Sequence, residues 1–398
     1  MIEFQRHQQG VGGVRRFGFS QRLSCYSRFA CLASAAGLFF GAASAAAGAE
    51  GILEENGADG IRIGPVEVGG ALRANYVFGD YPTAGTGGPS RGGSGGNFEL
   101  DTFRINLGLD LDPWGAAAEY RFYDGYNMLH TGWLGREVGD AAMVKVGVHR
   151  APFGAGPYGV SRSWFFDQHY YLGLADNMDL GILYSREWDA LALDLAYYAR
   201  DEFSWRGGSR QSARYSYDVV NETGSGYRQQ HQGNARLVWT MEGEVIPTDV
   251  GVSARVGGLK SSGPQGDGLH YAAAAHMINR VGSVTLGSQL SYYRFRVKEH
   301  ELFDGRVTDK LVDMGAYDFP NAVAAEGFVP AVSLSYLHEP PSIGWLDSVR
   351  PYVEWSAVLK RDSSFNDSHM ITAGAAWASG KWYVYTEMAV SDGNEFVG

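Results

Sequence analysis

The chain has 398 residues, of which 13% are aromatic and only 19% charged, with 55 glycines and a formal charge of −11. Such a chain can bury ample apolar surface, which argues against disorder. Outside the first fifty residues no run of about 18 apolar residues occurs, which excludes a helical membrane bundle. The first 49 residues contribute a net +4, so the remainder carries −15, and an acidic body of this size argues against nucleic acid as a partner.

Residues 1–49 carry the order of a secretory signal. Arg15, Arg16, Arg22 and Arg28 precede an apolar stretch from Phe29 to Phe40, and small residues follow to Ala49. Both cysteines, Cys25 and Cys31, lie in this segment. The exported chain would therefore hold no disulfide, thiol nucleophile or Cys-based metal site. Residues 50–60 read as a short periplasmic lead-in and 61–398 as one domain.

From Ile61 onward apolar and polar residues alternate with period two, segment after segment. Phe103, Ile105, Leu107, Leu109 and Leu111 share one strand face, while Thr102, Arg104, Asn106, Gly108 and Asp110 share the other. The same pattern gives 66–78, 116–123, 128–134, 143–149, 180–184, 191–198, 235–240, 250–256, 269–278, 284–295, 328–337, 349–360, 370–377 and 381–389, fifteen candidate strands in all. The links between them alternate in length. Short or moderate ones (112–115, 136–141, 188–189, 242–249, 280–283, 339–347, 378–380) interleave with long ones (79–97, 151–179, 200–234, 259–268, 296–327, 361–368), with one tight exception at 124–127. A sandwich has no reason to alternate in this way. An up-and-down transmembrane β-barrel of a bacterial outer membrane does, with short periplasmic turns and long outer loops.

Single-chain bacterial barrels have an even strand number. Fifteen candidates therefore predict an all-β, antiparallel barrel of 16 strands, with a last strand missing beyond Gly398 and the chain truncated at its C-terminus. Tyr76, Phe78, Trp239, Tyr292, Trp355 and Trp382 fall at outward positions near strand ends, as aromatic girdles do.

Parity also assigns the polar side chains. With the apolar set facing lipid, Arg73, Arg104, Arg121 and Lys145 point inward as one basic wall, and Arg236, Arg255 and Arg350 add inward cations on later strands. Glu67, Glu119, Asp194, Glu354 and Glu387 are the inward acids. Guanidinium rows in a narrow aqueous path favour passing anions; equally, these cations can pair with Glu119 and with loop acids to hold the pore shape. The third outer loop, 151–179, carries Trp164, Phe165, Phe166, Tyr170 and Tyr171 and is too apolar to sit in water. Folded inward it would bring Arg150, Arg162, Asp167, His169 and Asp176 opposite the basic wall as a constriction. Packed outward, its aromatics would form a subunit contact.

Lys145-Val146-Gly147-Val148-His149-Arg150-Ala151-Pro152-Phe153-Gly154 resembles the strand-to-loop signature of phosphate-selective porins and related sixteen-stranded bacterial outer-membrane porins, with a more diffuse likeness through Asp179 to Tyr184. The resemblance implies a homotrimeric diffusion channel whose third loop lines the constriction. No Gly-x-Ser-x-Gly, His-Glu-x-x-His or phosphate-cradling loop is present, so no enzyme, cofactor or metal centre is expected. Asp167 and His169 near Ser161 and Ser163 form only a chance triad on sequence. Asp304, Asp309, Asp313 and Asp318 in the sixth outer loop read as solvated surface beside lipopolysaccharide. The expected function is an outer-membrane porin passing small hydrophilic solutes, with anions such as phosphate favoured. The alternative is a structural or surface-interaction barrel with a plugged lumen.

Overall fold

The computed structural model describes residues 60–79, 96–139, 141–243 and 246–394, together with the backbone of 33–40. Sixteen long antiparallel strands form one sheet that closes on itself. They are β1 (Ala33–Phe40), β2 (Val66–Phe78), β3 (Asn97–Leu111), β4 (Trp114–Phe122), β5 (Asn127–Glu137), β6 (Ala142–Arg150), β7 (Met178–Glu187) and β8 (Leu191–Arg200). The second half comprises β9 (Tyr227–Met241), β10 (Thr248–Ser261), β11 (Gly268–Val281), β12 (Val284–Arg296), β13 (Glu326–Tyr336), β14 (Ser348–Lys360), β15 (Ser368–Ser379) and β16 (Trp382–Asp392). A three-residue strand, Ile61–Ile63, folds back on the start of β2.

Each strand from β2 to β16 pairs with its sequence neighbour, the meander expected of an up-and-down barrel. All fifteen strands expected from periodicity are present. The place between β16 and β2 is taken by β1, which pairs with both, Phe40 standing opposite Trp382 on one side and Leu72 on the other. The segment 1–49, expected from sequence to be a secretion signal, otherwise lies outside the described residues, as does the truncation expected beyond Gly398.

The side chains are distributed inside out relative to a water-soluble fold. On β3, Phe103, Ile105 and Leu107 are 45%, 39% and 46% exposed, whereas Thr102 and Asn106 are buried. Leu195, Leu237, Val252, Leu290, Val332, Val353 and Ile371 repeat the outward pattern around the ring. Every backbone group of a closed sheet finds a partner within it, so an apolar outer band can face hydrocarbon without leaving polar backbone unsatisfied. Tyr76, Phe78, Trp239, Trp355 and Trp382 are exposed at the strand ends, and Tyr292 is half-buried there.

The densest apolar packing lies within the ring of strands. Tyr170, Tyr171, Phe165, Leu174, Tyr215, Tyr217, Val219, Val312 and Met314, all from long loops, pack with strand residues such as Met128, Tyr293 and Val329. The long loops share the end of the barrel where 124–127 turns, and the short links share the other.

Candidate functional site

The third outer loop leaves β6 after Arg150 and re-enters at Met178, folding into the barrel instead of outward. Nearly all of it between Ser161 and Asn177 is buried. Its path is irregular, so its backbone N–H groups need partners that a helix or sheet would otherwise supply. Inward side chains of the far wall supply them. Gly154 N donates to Ser253 Oγ on β10 at 3.0 Å and Ala155 N to Gln289 Oε1 on β12 at 2.8 Å. The Glu354 carboxylate on β14 accepts from both Ser161 Oγ and Arg162 N. Trp164 N donates to Glu387 Oε1 on β16 at 2.8 Å, and Gln168 N to Ser356 Oγ at 3.1 Å. Glu354 and Glu387 hold the middle of the loop, between Ser161 and Trp164.

The stretch that resembles the porin signature forms the end of β6 and the entry to this loop. At Gly147, φ is 137°, and a Cβ would stand 2.2 Å from Gly132 O on β5. At Gly154, φ is 72°, and a Cβ would meet the Gln289 amide at 2.6 Å. At Gly147 the neighbouring backbone leaves no room for a Cβ, while at Gly154 the left-handed φ is what favours glycine, the facing Gln289 side chain being able to move.

The structure brings Arg73, Arg104, Arg121 and Glu119 together on one wall, with the charges largely paired. Arg73 bonds Asp101, and Arg121 bonds Glu119. Arg104 lies 3.4 Å from Glu119, as does His130 Nδ1. Lys145 stands 4.3 Å over the Trp133 ring, Arg73 5.5 Å over Trp164 and Arg121 4.4 Å over Tyr215. Of the two readings open on sequence, mutual pairing describes these side chains better than a bare row of guanidinium groups.

Elsewhere the expected site residues serve the loop. Arg236 donates to Gly154 O at 2.8 Å and meets Asp194 at 3.1 Å, and Arg255 donates to Gly173 O at 2.6 Å. Arg150 pairs with Asp176 at 2.8 Å, and Tyr215 donates its hydroxyl to the same carboxylate. Arg162 keeps its side chain exposed, and Arg350 is half-buried. His169 Nδ1 lies 2.9 Å from Asp167 Oδ1 and its Nε2 2.9 Å from Ser291 Oγ on β12. The chance triad with Ser161 or Ser163 does not form. Ser291 takes the serine place, but Ser291 and His169 are 1% and 0% exposed, so the arrangement fastens the loop to the wall.

Two further loops fold inward, which the sequence did not reveal. Asp218–Val219 from the fourth outer loop and the hairpin Leu311–Ala316/Phe319–Ala324 from the sixth form a three-stranded sheet. Arg214, 2% exposed, bonds Asp201 at 2.8 Å and Asp218 at 3.0 Å. Burial pushes Asp218 up to about 6 despite Arg214, and burial together with Asp218 pushes Glu202 up to about 8. The expectation of solvated acids in the sixth loop is corrected at two positions. Asp313 is 2% exposed and accepts from Phe303 N, and Asp318 accepts from Gly208 N, Ser209 N and Ser209 Oγ, closing the fourth loop against the hairpin. Asp304 and Asp309 are exposed as expected. Among the described residues no cluster of three metal-ligating side chains occurs.

No family model matches the chain, and no curated protein does. Among solved structures, outer-membrane expressed OmpT of Vibrio cholerae is similar over 92% of this chain and 88% of its own, with 12% identity and a TM-score of 0.47. The outer membrane channel DcaP of Acinetobacter baumannii is similar over 91% and 94%, at 9% identity and a TM-score of 0.44. Salmonella typhi OmpF in complex with daunomycin is similar over 91% and 96%, at 10% identity and a TM-score of 0.43.

Proposed function

We propose that the protein is a porin-like channel of a bacterial outer membrane, passing small hydrophilic solutes through a barrel narrowed by its third loop. The observation that carries this reading is the pairing of an apolar outer face with a polar inner wall that tethers an inward-folded loop by at least four strands. A soluble barrel would have the opposite polarity, and a lipid-filled one would have no use for inward carboxylates and arginines.

Any anion preference is weak. Arg73, Arg104 and Arg121 face Asp101 and Glu119, so three positive charges stand against two negative ones before Lys145 is counted. A phosphate filter would call for more cations than this wall supplies. Export under the N-terminal signal, contact with outer-membrane lipid and lipopolysaccharide through the girdled band, and assembly as a homotrimer belong to the same proposal.

The tyrosine-rich packing of loops three, four and six favours a second reading, a barrel whose lumen is plugged. Swelling of liposomes carrying the folded protein separates the two. Solutes of graded size should enter at rates that fall with size, whereas a plug gives no swelling with any of them.

A further inference from the structure

The outward face of β12 changes character along its length. Leu286 and Leu290 are exposed in the apolar band, Tyr292 follows at the girdle, and Arg294 and Arg296 end the strand on its outer side, both exposed. The girdle at this level runs over three strands, since the Tyr292 ring lies 6.2 Å from Tyr271 on β11 and 5.1 Å from Phe328 on β13. A strand rises about 3.4 Å per residue and tilts by about 40° in a barrel, which puts Arg294 and Arg296 about 5 and 10 Å above the girdle. The headgroup layer on each side of a bilayer is about 5–8 Å deep, so this pair stands at headgroup level.

Between the ends of these strands and the loops 297–325 and 361–368 lies an open crevice of about 530 Å³, lined by Arg294, Arg296, Lys310 and Arg361. Its acids are fewer than its cations. One carboxylate, Glu326, faces both Arg294 at 3.4 Å and Arg361 at 4.0 Å, and it also accepts from the Tyr292 hydroxyl at 2.7 Å. The other two, Asp362 and Asp309, stand beside Lys310, Asp362 at 2.7 Å. Arg296 has no ion-pair partner among the described residues. An excess of cations here runs against the acidic balance of the whole chain, −11.

We propose that this crevice is a binding site for a phosphate monoester of an outer-leaflet glycolipid, the phosphorylated headgroup of lipopolysaccharide, held by the guanidinium groups of Arg294, Arg296 and Arg361. Three observations select that occupant. Three guanidinium groups stand against the single carboxylate between them, and a guanidinium fork matches phosphate oxygens two at a time. The arginines alternate with Phe295, which turns to the lumen side and is buried, so Arg294 and Arg296 face the lipid and not the solute path. The apolar face below them, with Leu290 and Phe328 exposed, lies where the acyl chains of the same molecule would run. A zwitterionic lipid brings a cation to its own phosphate; a phosphate monoester carries about −1.5 to −2 and draws its counter-charges from the protein. The inference rests on the barrel standing in an outer membrane and not on its passing solutes.

Native mass spectrometry of the full-chain barrel released from detergent tests this, with bisphosphorylated lipid A as the probe and lipid A stripped of both phosphates as the comparison. The phosphorylated form should be retained on the barrel, the stripped form should bind about tenfold more weakly or less, and millimolar inorganic phosphate should not displace the lipid. Replacing Arg294, Arg296 and Arg361 together by Gln should weaken retention by about tenfold or more. Replacing Arg136 and Arg186 by Gln, at the ends of β5 and β7 beside the short links, should leave it unchanged. The heat-modifiable mobility of each variant shows that the barrel is intact. Equal retention of the stripped lipid would make the contact one of acyl chains only, and displacement by inorganic phosphate would make the crevice a free-phosphate site; either overturns the proposal. So would an equal loss in the Arg136 and Arg186 variant, which would show a general effect of charge. Single-channel conductance of the triple variant should match the parent, because its side chains turn away from the lumen, so lipid binding and conduction succeed or fail separately.

Discussion

Glu354 and Arg162 are 192 residues apart in sequence, yet the carboxylate of the first accepts the backbone N–H of the second. Ser161 and Ser333 donate to the same carboxylate. One inward glutamate thus holds three donors and pins the tip of the third loop to the wall opposite its origin. Glu354→Gln offers one accepting oxygen in place of two, leaving at least one donor unmet, a cost of about 1–3 kcal/mol. The expected outcome is a barrel that still folds, with a looser loop, a larger single-channel conductance and more open-state noise. An unchanged current trace would show that the loop tip does not limit the path.

The Glu119 carboxylate is shared by Arg104 and Arg121. Glu119→Gln removes the negative charge that they share and should move the zero-current potential in a salt gradient toward anions. Replacing Arg73, Arg104 and Arg121 together by Ala should move it toward cations. If neither variant shifts the potential, the wall lies off the solute path.

Asp313 carries a pH dependence. Burial pushes its carboxyl up to about 7, against the favourable Phe303 N–H at 2.8 Å, from an ordinary value of 3.8. The folded loop therefore holds this proton more tightly than the unfolded chain does. Its contribution to packing is full below about pH 4 and is lost as pH rises through 7. Limited proteolysis within 297–325 should be faster at pH 8 than at pH 5, and Asp313→Asn should flatten that difference. Glu202, raised to about 8 in the neighbouring loop, acts in the same direction and leaves a smaller residual slope in the variant.

The strands were legible wherever one face meets lipid and the other water, because that contrast is what period two records. Where strands extend past the apolar band the signal fades. β9 begins at Tyr227, not near Ala235, and the added stretch Tyr-Arg-Gln-Gln-His-Gln-Gly-Asn is polar on both faces. Asp101, the partner of Arg73, was missed for a different reason. The register shifts between Arg73 and Ala74, so Asp101 and Thr102 both turn inward and the alternation breaks there. The Leu311–Ala324 hairpin was hidden by its turn, where Tyr317 and Asp318 take φ of 51° and 68°, values usually supplied by Gly or Asn. Three inward-folded loops bury both faces of their segments, which leaves no periodicity to read.

The proposed export would leave a mark on the chain itself. Intact-mass measurement of the protein recovered from outer membranes should show an N-terminus close to residue 50, just beyond the small residues that end at Ala49. Recovery of a chain that still holds 33–40 would instead make that segment, seen here as the strand between β16 and β2, a permanent part of the barrel.

The most direct test of the channel itself is single-channel recording of the purified barrel in a planar bilayer under a salt gradient. Steady conductance steps with a zero-current potential leaning slightly toward anions are the predicted result. A folded, inserted barrel that passes no current would contradict the account and leave the plugged lumen as the function of its inward loops.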